Sequence, residues 1–392
     1  MFTYKKDIFK VPIKVWMGEE DYYLSKNMVE QVEHLAQLPF AFKQIVLSPD
    51  GHMGYGMPIG GVLATEDIII PNAIGLDIGC GMCSIKTSLT EIDKEVLRKI
   101  MGEIRKRIPV GFSHQQQKQS ISNMPTRSDK NDLPIIDREF EKALTQIGTL
   151  GGGNHFIEIQ KGSDGNIWIM LHSGSRNIGL QVAQHYNKIA IDMNAEYFSS
   201  VPKNWDLAFL PTCEALGSMY WSEMNYCVEF ALANRKLMMD RICQIIGTET
   251  NAAFFPMINI AHNYARRENH FGKNVIVHRK GATSAREGEM GIIPGSQGTS
   301  SYIVKGRGNV ESFQSCSHGA GRKMGRKEAQ RTLNLEEEKK QMEDRGILHA
   351  IRGRDDLDEA PGSYKDIDVV MKEQEDLVEV IVKLEPLACI KG

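Results

Sequence analysis

The sequence of 392 residues predicts an α+β fold in a single domain. Strand-like and helical segments follow one another without the regular alternation that a doubly wound sheet requires. No segment has the composition of a linker between domains, and no internal repeat is present. The one long polar stretch, at residues 112–135, predicts a mobile loop within the domain. A single irregular domain over residues 1–392 therefore explains the pattern more simply than two separate domains.

Apolar residues at helical spacing predict five helices. They cover residues 26–38, 90–108, 138–147, 178–197 and 214–245. Residues 257–269 are predicted to start extended and to continue into a helix. Residues 318–334 are predicted to start as a loop and to become a basic helix.

Short apolar runs bounded by glycine, proline and serine predict the strands. Residues 42–65 predict a strand, a glycine-rich loop and a second strand, and residues 67–87 predict two short buried strands around a turn. Further strands are predicted within residues 156–160, 166–175, 274–288, 291–306 and 377–392. Polar residues at the ends of such strands are well placed to face a cleft.

Composition narrows the class of protein. No apolar run approaches the ~20 residues of a membrane span, and the first residues contain no signal-peptide core, so a cytoplasmic protein without membrane association is expected. Seven scattered cysteines do not resemble a disulfide framework. The net charge of −3 argues against a positively charged coat, yet residues 266–331 hold 13 basic against five acidic residues. This segment predicts a local basic groove, although a solvated surface would explain the charge alone equally well.

The stretch PNAIGLDIGCGMC places Asp77 and Cys80 on one glycine-rich turn. Glycines at 75, 79 and 81 permit positive φ there and remove side-chain bulk, so both ligands can reach one centre. Five histidines in comparable surroundings follow or interrupt apolar segments: His155, His172, His262, His278 and His318. Carboxylate, thiolate and imidazole all bind first-row divalent metals, and a thiolate can bridge two. These residue types predict a metal site suited to phosphoryl chemistry.

Cys80 and Cys83 are also formally a CxxC pair. Such a pair is compatible with a redox motif or with half of a structural zinc site. No second CxxC is present, and the surroundings do not match a thioredoxin pattern. We keep this alternative as the less favoured interpretation.

Several glycine-rich loops could hold phosphate groups, although no P-loop and no well-placed GxGxxG occurs. Five basic residues in or near these loops are candidate phosphate or RNA contacts: Arg176, Arg279, Lys280, Arg322 and Arg326. Lys305 to Gly308 match a loose KxxG, but the aspartate of a lysine-nucleophile ligase motif is missing. His318, in the loop CSHGAGR, could instead attack an α-phosphorus and form a phosphoramidate with metal help.

Taken together, the motifs resemble those of the RtcB-type RNA-splicing ligases. In the order of that family, and from about Pro12 to Gly392, they are SPDGHMGYGMPIGG, GLDIGCGM, GGGNHFIE, LHSGSR, AHNYARRE, HRKGAT, IPGSQGTSSY, HGAGR, DEAPGSYKDID and IKG. The resemblance implies the family's single α+β domain with a deep metal-containing cleft. It also implies an enzyme that uses GTP and two Mn²⁺ ions to join RNA ends. One end carries a 2′,3′-cyclic phosphate or a 3′-phosphate and the other a 5′-hydroxyl, as in tRNA splicing or RNA repair.

The resemblance also implies roles for individual residues. The implied metal ligands are Asp77, Cys80, His155, His172 and His262, with Cys80 as the bridging thiolate, and His318 is the histidine that becomes guanylylated. Implied nucleotide contacts are Asn154 at the phosphates, Glu158 at the guanine edge, and His262, Asn263, Pro294, Gly295, Ser296, Ser301, His318, Gly319, Ala320, Gly321, Tyr364 and Lys391. Arg176 and Arg326 are expected to face RNA or phosphate. An archease-type activator, the oligomeric state and the physiological RNA are left open.

Small departures from the family pattern include Gly51 before His52, where many members have a larger residue, and the additional Cys83. They are compatible with a subgroup that repairs damaged tRNA or ribosomal RNA. Two alternatives to ligation are a dinuclear metal phosphoesterase that only opens cyclic phosphates and a non-catalytic RNA-binding protein. The first would need the metal ligands without His318, and the second would need neither.

Overall fold

Two large β-sheets organise residues 1–127 and 133–392, which the computed structural model describes. One sheet has six strands and the other seven, and helices pack against both through shared apolar clusters. This mixture confirms the predicted α+β class. Of the loop predicted at residues 112–135, residues 128–132 lie outside the described residues. The part up to residue 127 is irregular apart from a short 3₁₀ turn, Ile121–Asn123.

The helices and strands have the following bounds. The helices are α1 (Glu19–Leu24), α2 (Lys26–Ala36), α3 (Lys94–Arg107), α4 (Pro134–Gln146), α5 (Arg176–Glu196), α6 (Ala215–Glu249), α7 (Arg326–Thr332), α8 (Leu335–Asp344) and α9 (Ile367–Glu373). The strands are β1 (Phe2–Tyr4), β2 (Ile13–Val15), β3 (Ala41–His52), β4 (Ile59–Thr65), β5 (Ile68–Ile69), β6 (Gly81–Lys86), β7 (Phe156–Gly162), β8 (Ile167–Ser173), β9 (Leu210–Pro211), β10 (Ile258–Ala261), β11 (Asn263–His270), β12 (Lys273–Lys280), β13 (Ala282–Ser284), β14 (Met290–Ile293), β15 (Ser301–Gly306), β16 (Ser315–Ser317) and β17 (Val378–Lys391).

The seven-stranded sheet has the order β10-β6-β8-β7-β17-β15-β14, and all its pairs are antiparallel. The six-stranded sheet has the order β1-β2-β3-β4-β12-β11, with one parallel pair, β2 with β3. Short pairs β13-β16 and β5-β9 complete the described strands. Because both halves of the chain contribute to each large sheet, residues far apart in sequence meet along the sheet edges.

Helix α6 is the longest described helix, with 35 residues, and it has buried residues along its whole length. Tyr220 and Phe230 pack in one apolar cluster with α4 and α5, whereas Met238 and Ile242 pack in a second cluster with α3 and the seven-stranded sheet. Burial on several faces is typical of a central helix. Among the described residues, no helix combines the length and the hydrophobicity needed to cross a membrane.

The prediction that residues 257–269 start extended and continue into a helix is wrong for the helical part. The segment forms two strands instead, β10 and β11, separated by His262. Strand β11 pairs over its whole length with β12, and Phe271 and Gly272, both with positive φ, form the turn between them. In β11, Arg266 and Arg267 are exposed, whereas Glu268 is buried. Pairing with β12, which lies outside the segment, therefore decided its structure.

The other predicted helices and strands are confirmed within a few residues, including α2, α5, α6 and the long terminal strand β17. The sequence analysis did not predict β1, β2, α1, β9, β16, α8 or α9. These elements are short, between 2 and 10 residues. Elements of that length carry too few periodic positions to stand out from loops.

Candidate active site

Four neighbouring strand ends bring the predicted metal ligands together. Cys80 directly precedes β6, His172 lies near the end of β8, His155 directly precedes β7, and His262 directly follows β10. The register places Gly81 opposite both Ala261 and Ser173, and Phe156 opposite His172. The four side chains therefore converge at one edge of the sheet because β10, β6, β8 and β7 are consecutive in it.

The turn before β6 depends on glycine at two positions. Gly79 has φ +74° and donates its N–H to the carbonyl of Asn263 at 2.7 Å. A Cβ atom on Gly81 would lie 2.0 Å from the carbonyl oxygen of Ile260. The glycines thus permit the close approach of β10 that carries His262 to Cys80.

The ligand atoms of the cluster lie within contact distance of one another. The sulfur of Cys80 is 3.1 Å from Nε2 of His172 and 3.5 Å from Nε2 of His155, and these three atoms lie within 4.8 Å of one another. Nε2 of His172 is 3.3 Å from Nε2 of His262, and Oδ2 of Asp77 is 3.1 Å from Nε2 of His155. All five predicted ligands therefore face one small volume.

Backbone carbonyls fix the orientation of two of these imidazoles. Nδ1 of His155 donates to the carbonyl of Leu150 at 2.9 Å, and Nδ1 of His172 donates to the carbonyl of Asn154 at 3.1 Å. Each ring is then left with an Nε2 lone pair that points into the cluster, the arrangement usual for metal-bound histidine. Burial lowers the pKa of His172 and of His262 well below the usual value. The donor set therefore fits a divalent transition metal.

Arg235, which the sequence analysis did not predict, connects the segments that carry the cluster. It lies on α6, is fully buried, and donates to the carbonyls of Gly79 and Ser173 at 2.9 and 2.8 Å. Its Nε also donates to Oδ1 of Asn259 at 2.7 Å. One guanidinium thus ties together β8, β10 and the turn before β6. No sequence signal marked this residue, because its role depends on where α6 crosses the sheet.

His318 lies beside the cluster and is held by a buried carboxylate. Its ring centroid is 4.7 Å from that of His262, and its Nδ1 is 2.6 Å from Oδ2 of Asp50. The same oxygen accepts the backbone N–H groups of His318 and Gly319 at 3.1 and 3.3 Å. Asp50 is fully buried, and Ser48 donates to its other oxygen at 2.7 Å. Because Nδ1 is occupied by Asp50, Nε2 is the ring nitrogen left for chemistry.

A cavity of about 290 Å³ opens next to His318. Most of the predicted nucleotide contacts line it: Asn154, Glu158, His262, Pro294, Gly295, Ser296, His318, Gly319, Ala320, Gly321, Tyr364 and Lys391. Arg322 and Arg326 line the same cavity. Ser301 lies one layer behind, where its Oγ accepts from Gln160 and from the backbone N–H of Gly295, at 3.2 Å in both cases.

A second cavity, of about 570 Å³, adjoins the cluster. It contains Asp77, Cys80, Asn263 and Lys280. Four residues line both cavities: Ile59, Asn154, His262 and His318. The predicted ligand cluster and the His318 ring therefore border both cavities.

Comparisons of the sequence with known proteins show the family to which the chain belongs. A profile of the family described as "tRNA-splicing ligase RtcB" matches residues 31–392. The chain belongs to the RtcB family. It is 36% identical to the RNA-splicing ligase RtcB of Escherichia coli K12 over 97% of both chains. It is 30% identical to the tRNA-splicing ligase RtcB of Thermococcus kodakarensis, over 98% of this chain and 95% of the relative. It is 28% identical to the RNA-splicing ligase RtcB of Mycobacterium tuberculosis, over 92% of this chain and 100% of the relative. The resemblance inferred from the motifs is confirmed.

Arg176 and Lys280, which we predicted to contact phosphate or RNA, both make contacts within the protein near the cluster. Arg176 begins α5 with φ +61°, and its Nη1 lies 3.3 Å from Nδ1 of His155, next to the cluster. Lys280 is buried, and its ammonium donates to the carbonyls of Tyr55 and Asn72 at 2.5 and 2.8 Å. Burial lowers the pKa of Lys280 to about 7. These contacts within the protein do not test binding of phosphate or RNA, so the predicted roles of both residues stay predictions.

Arg279 requires a correction. It is fully buried, and its guanidinium forms a bidentate ion pair with the carboxylate of Glu268, at 2.6 and 3.1 Å. It also donates to Oγ of Ser315 and to the carbonyl of Phe313. The ion pair occupies the guanidinium inside the protein, so no surface is left for RNA. Arg279 instead joins β12 and β11 to the segment that leads to His318.

Replacing Arg279 is therefore expected to lower stability. Arg279→Met leaves Glu268 buried without its main partner, which should lower the free energy of unfolding by about 3 kcal/mol. Chemical denaturation of the purified variant measures this. Arg266→Met, on the neighbouring strand but exposed, is the matched control, with an expected change under ~1 kcal/mol. Equal losses in the two variants would contradict the structural role of Arg279.

His278 and Cys83 do not join the cluster. His278 is fully buried; its Nε2 accepts the backbone N–H of Ile70 at 3.1 Å and its Nδ1 contacts the carbonyl of Leu63. Cys83 lies in an apolar cluster of the core, and both it and Cys80 are free thiols. The CxxC alternative thus finds no support in the side-chain positions.

Proposed function

We propose that this protein is a GTP-dependent RNA ligase that joins a 3′-phosphate or 2′,3′-cyclic phosphate end to a 5′-hydroxyl end through GMP bound covalently to His318. The observation that carries the proposal is the position of the His318 ring. It lies against the ligand cluster with Nδ1 bound to the buried Asp50. Nε2 is thereby available as a nucleophile, and the carboxylate stabilises the positive charge that develops on the ring.

We propose that Asp77, Cys80, His155, His172 and His262 hold two Mn²⁺ ions, with the sulfur of Cys80 shared between them. Bound divalent ions would neutralise the negative charge that builds up during phosphoryl transfer. The short distances from the sulfur to two imidazoles are compatible with such sharing. The backbone carbonyls of Leu150 and Asn154 would then fix two of the imidazole ligands, because they occupy Nδ1 of His155 and of His172.

We propose that GTP occupies the smaller cavity and the RNA end that receives GMP approaches through the larger one. In the first transfer, Nε2 of His318 attacks the α-phosphorus, a P–N bond forms, and pyrophosphate leaves as the α–β bridging P–O bond breaks. If the end is cyclic, water first attacks its phosphorus, and the bond to the 2′-oxygen breaks to leave a 3′-phosphate. An oxygen of the 3′-phosphate then attacks the phosphorus of the bound GMP, so that a P–O bond forms and the P–N bond to His318 breaks. Attack by the 5′-hydroxyl joins the ends and releases GMP. His318 is suited to both transfers because it lines both cavities.

We also propose that residues 1–392 act as one catalytic domain in the cytoplasm. The support for one domain is that strands from both halves of the chain build the sheet that carries the cluster. Recognition of strand ends and phosphates would be consistent with a local excess of basic residues at 266–331 in a chain of net charge −3.

A ligation assay tests the proposal. A tRNA stem-loop is nicked so that one end carries a 2′,3′-cyclic phosphate and the other a 5′-hydroxyl. We expect joined product only when GTP and Mn²⁺ are both present, with and without an archease-type protein as parallel arms. Absence of product in every arm, with any divalent metal, would refute ligation. Opening of the cyclic phosphate without joining would favour the phosphoesterase alternative.

Affinity for GTP is expected to rise with pH between 6 and 8. Glu158 is buried, and burial raises its pKa to about 8 although the charge of Lys391 and a hydrogen bond from Gln160 oppose the shift. Guanine presents two N–H donors, so the carboxyl must lose its proton to accept both. Below pH 8 the carboxyl is mostly protonated, and the free-energy cost of removing that proton weakens binding by up to about tenfold per pH unit. Titration calorimetry with GDP measures the slope; Glu158→Gln should flatten it, and an unchanged slope would contradict the assignment.

A further inference from the structure

The carboxylate of Glu359 forms a hub on the wall of the smaller cavity. Its Oε1 accepts from Nη2 of Arg322 at 2.5 Å and from Nη1 of Arg326 at 3.0 Å. Its Oε2 accepts from the hydroxyl of Tyr364 at 2.6 Å and from the ammonium of Lys391 at 2.9 Å. Glu359 is 7% exposed, and it was not among the residues predicted from the sequence.

The four partners come from separate parts of the chain. Arg322 follows the His318 loop, Arg326 begins α7, Tyr364 follows a 3₁₀ turn, and Lys391 ends β17. All four line the same cavity. Three cations so close together would repel one another in a partly dry site without a compensating negative charge. The charges of Lys391, Arg322 and Arg326 outweigh the opposing effect of burial and lower the pKa of Glu359, which keeps it ionised.

Arg322 shows what this arrangement leaves available. Its Nη2 is held by Glu359, whereas its Nη1 is buried without a hydrogen-bond partner among the described residues. Its guanidinium also lies over the ring of Tyr364, 5.1 Å from the ring centroid. A guanidinium fixed along one edge presents its other donors in a set direction, which is how arginine binds phosphate oxygens.

We propose that Glu359 is a positioning residue that couples the base end of the nucleotide site to its phosphate end. One carboxylate oxygen holds Tyr364 and Lys391, and the other holds the two arginines near His318. The inference rests on the proposed function, since it assumes that the smaller cavity takes GTP. Its direct consequence concerns binding: loss of the hub disorders contacts to the nucleotide without touching Nε2 of His318 or its partner Asp50.

The test is the kinetics of covalent guanylylation of His318 in Glu359→Gln. The substitution preserves size but removes the charge, and charge-assisted hydrogen bonds of this kind correspond to about 10- to 100-fold in binding. We expect KM for GTP to rise by about that factor, whereas kcat changes by less than about threefold. Metal content should equal that of the wild type, because none of the cluster ligands contacts Glu359.

Asp358→Asn is the matched control. Asp358 binds Arg326 at 2.6 Å, and no described contact joins it to Tyr364 or Lys391. We expect its KM for GTP to stay within about threefold of the wild type. If Glu359→Gln raises KM by no more than Asp358→Asn does, the proposal is overturned, whatever happens to kcat.

Folding and the proposed function are checked separately. If Glu359→Gln does not melt cooperatively, Glu359→Asp is measured; it keeps the charge, but its shorter side chain cannot reach all four partners, so an elevated KM is again expected. Failure of both variants to fold would show a general structural role and would overturn the proposal. Failure of the wild type to form covalent GMP would refute the proposed function itself. A guanylylated wild type with an unchanged Glu359→Gln would refute only the positioning role.

Discussion

His318→Ala leaves no covalent GMP on the protein and lowers end joining by about 10³-fold or more, because the variant lacks the nucleophilic nitrogen. The measurement is incubation with GTP labelled at the α-phosphate, followed by denaturing electrophoresis. In the wild type, the label should be lost in acid, since a phosphoramidate bond is acid-labile. Bound metal should persist in the variant, because His318 is not among the five proposed ligands.

His114→Ala is a suitable control, since His114 is exposed and distant in sequence from every motif. It should label and ligate like the wild type. The same His318→Ala preparation separates two functions when it is given a cyclic phosphate end alone. If opening and joining are separate steps, we expect His318→Ala to lose ligation and to retain opening of the cyclic phosphate. Full ligation by His318→Ala would remove the basis of the proposed mechanism.

Cys80→Ala is expected to lose bound metal and, with it, both guanylylation and ligation. The sulfur of Cys80 is in contact with two imidazoles of the cluster, so its removal takes away a central ligand that two metal ions could share. Metal affinity should fall by more than about 100-fold, beyond the 10- to 100-fold typical for loss of an outer-shell partner. Elemental analysis after dialysis against a weak chelator measures the metal-to-protein ratio.

Cys83→Ala provides the matched control three residues away. Cys83 is buried in the apolar core, so the substitution should lower stability slightly and leave the metal content unchanged. Loss of metal in both variants would revive the CxxC interpretation. Retention of metal and activity in Cys80→Ala would show that the cluster does not work through this sulfur.

Several features of the site were predictable because their chemistry is local. The glycine-rich turn with Asp77 and Cys80 is encoded within seven residues, and the histidines next to strand ends could be recognised individually. Strands β3, β6, β8 and β17 were also predictable, since their apolar runs are long enough to stand out from loops. By contrast, the prediction for residues 257–269 failed because pairing with β12, which lies outside the segment, decides its structure.

The sequence by itself determined the residue types that this protein offers to metals and phosphates, and its membership of the RtcB family, because motifs keep their order along the chain. Only the tertiary structure decided which carboxylates support them. Asp50 and His318 are 268 positions apart, and Glu359 gathers partners from four segments. Arg279, by its sequence a candidate for phosphate, is enclosed with Glu268 instead. Such partnerships depend on strand register and helix packing, which bring together side chains that no local pattern connects.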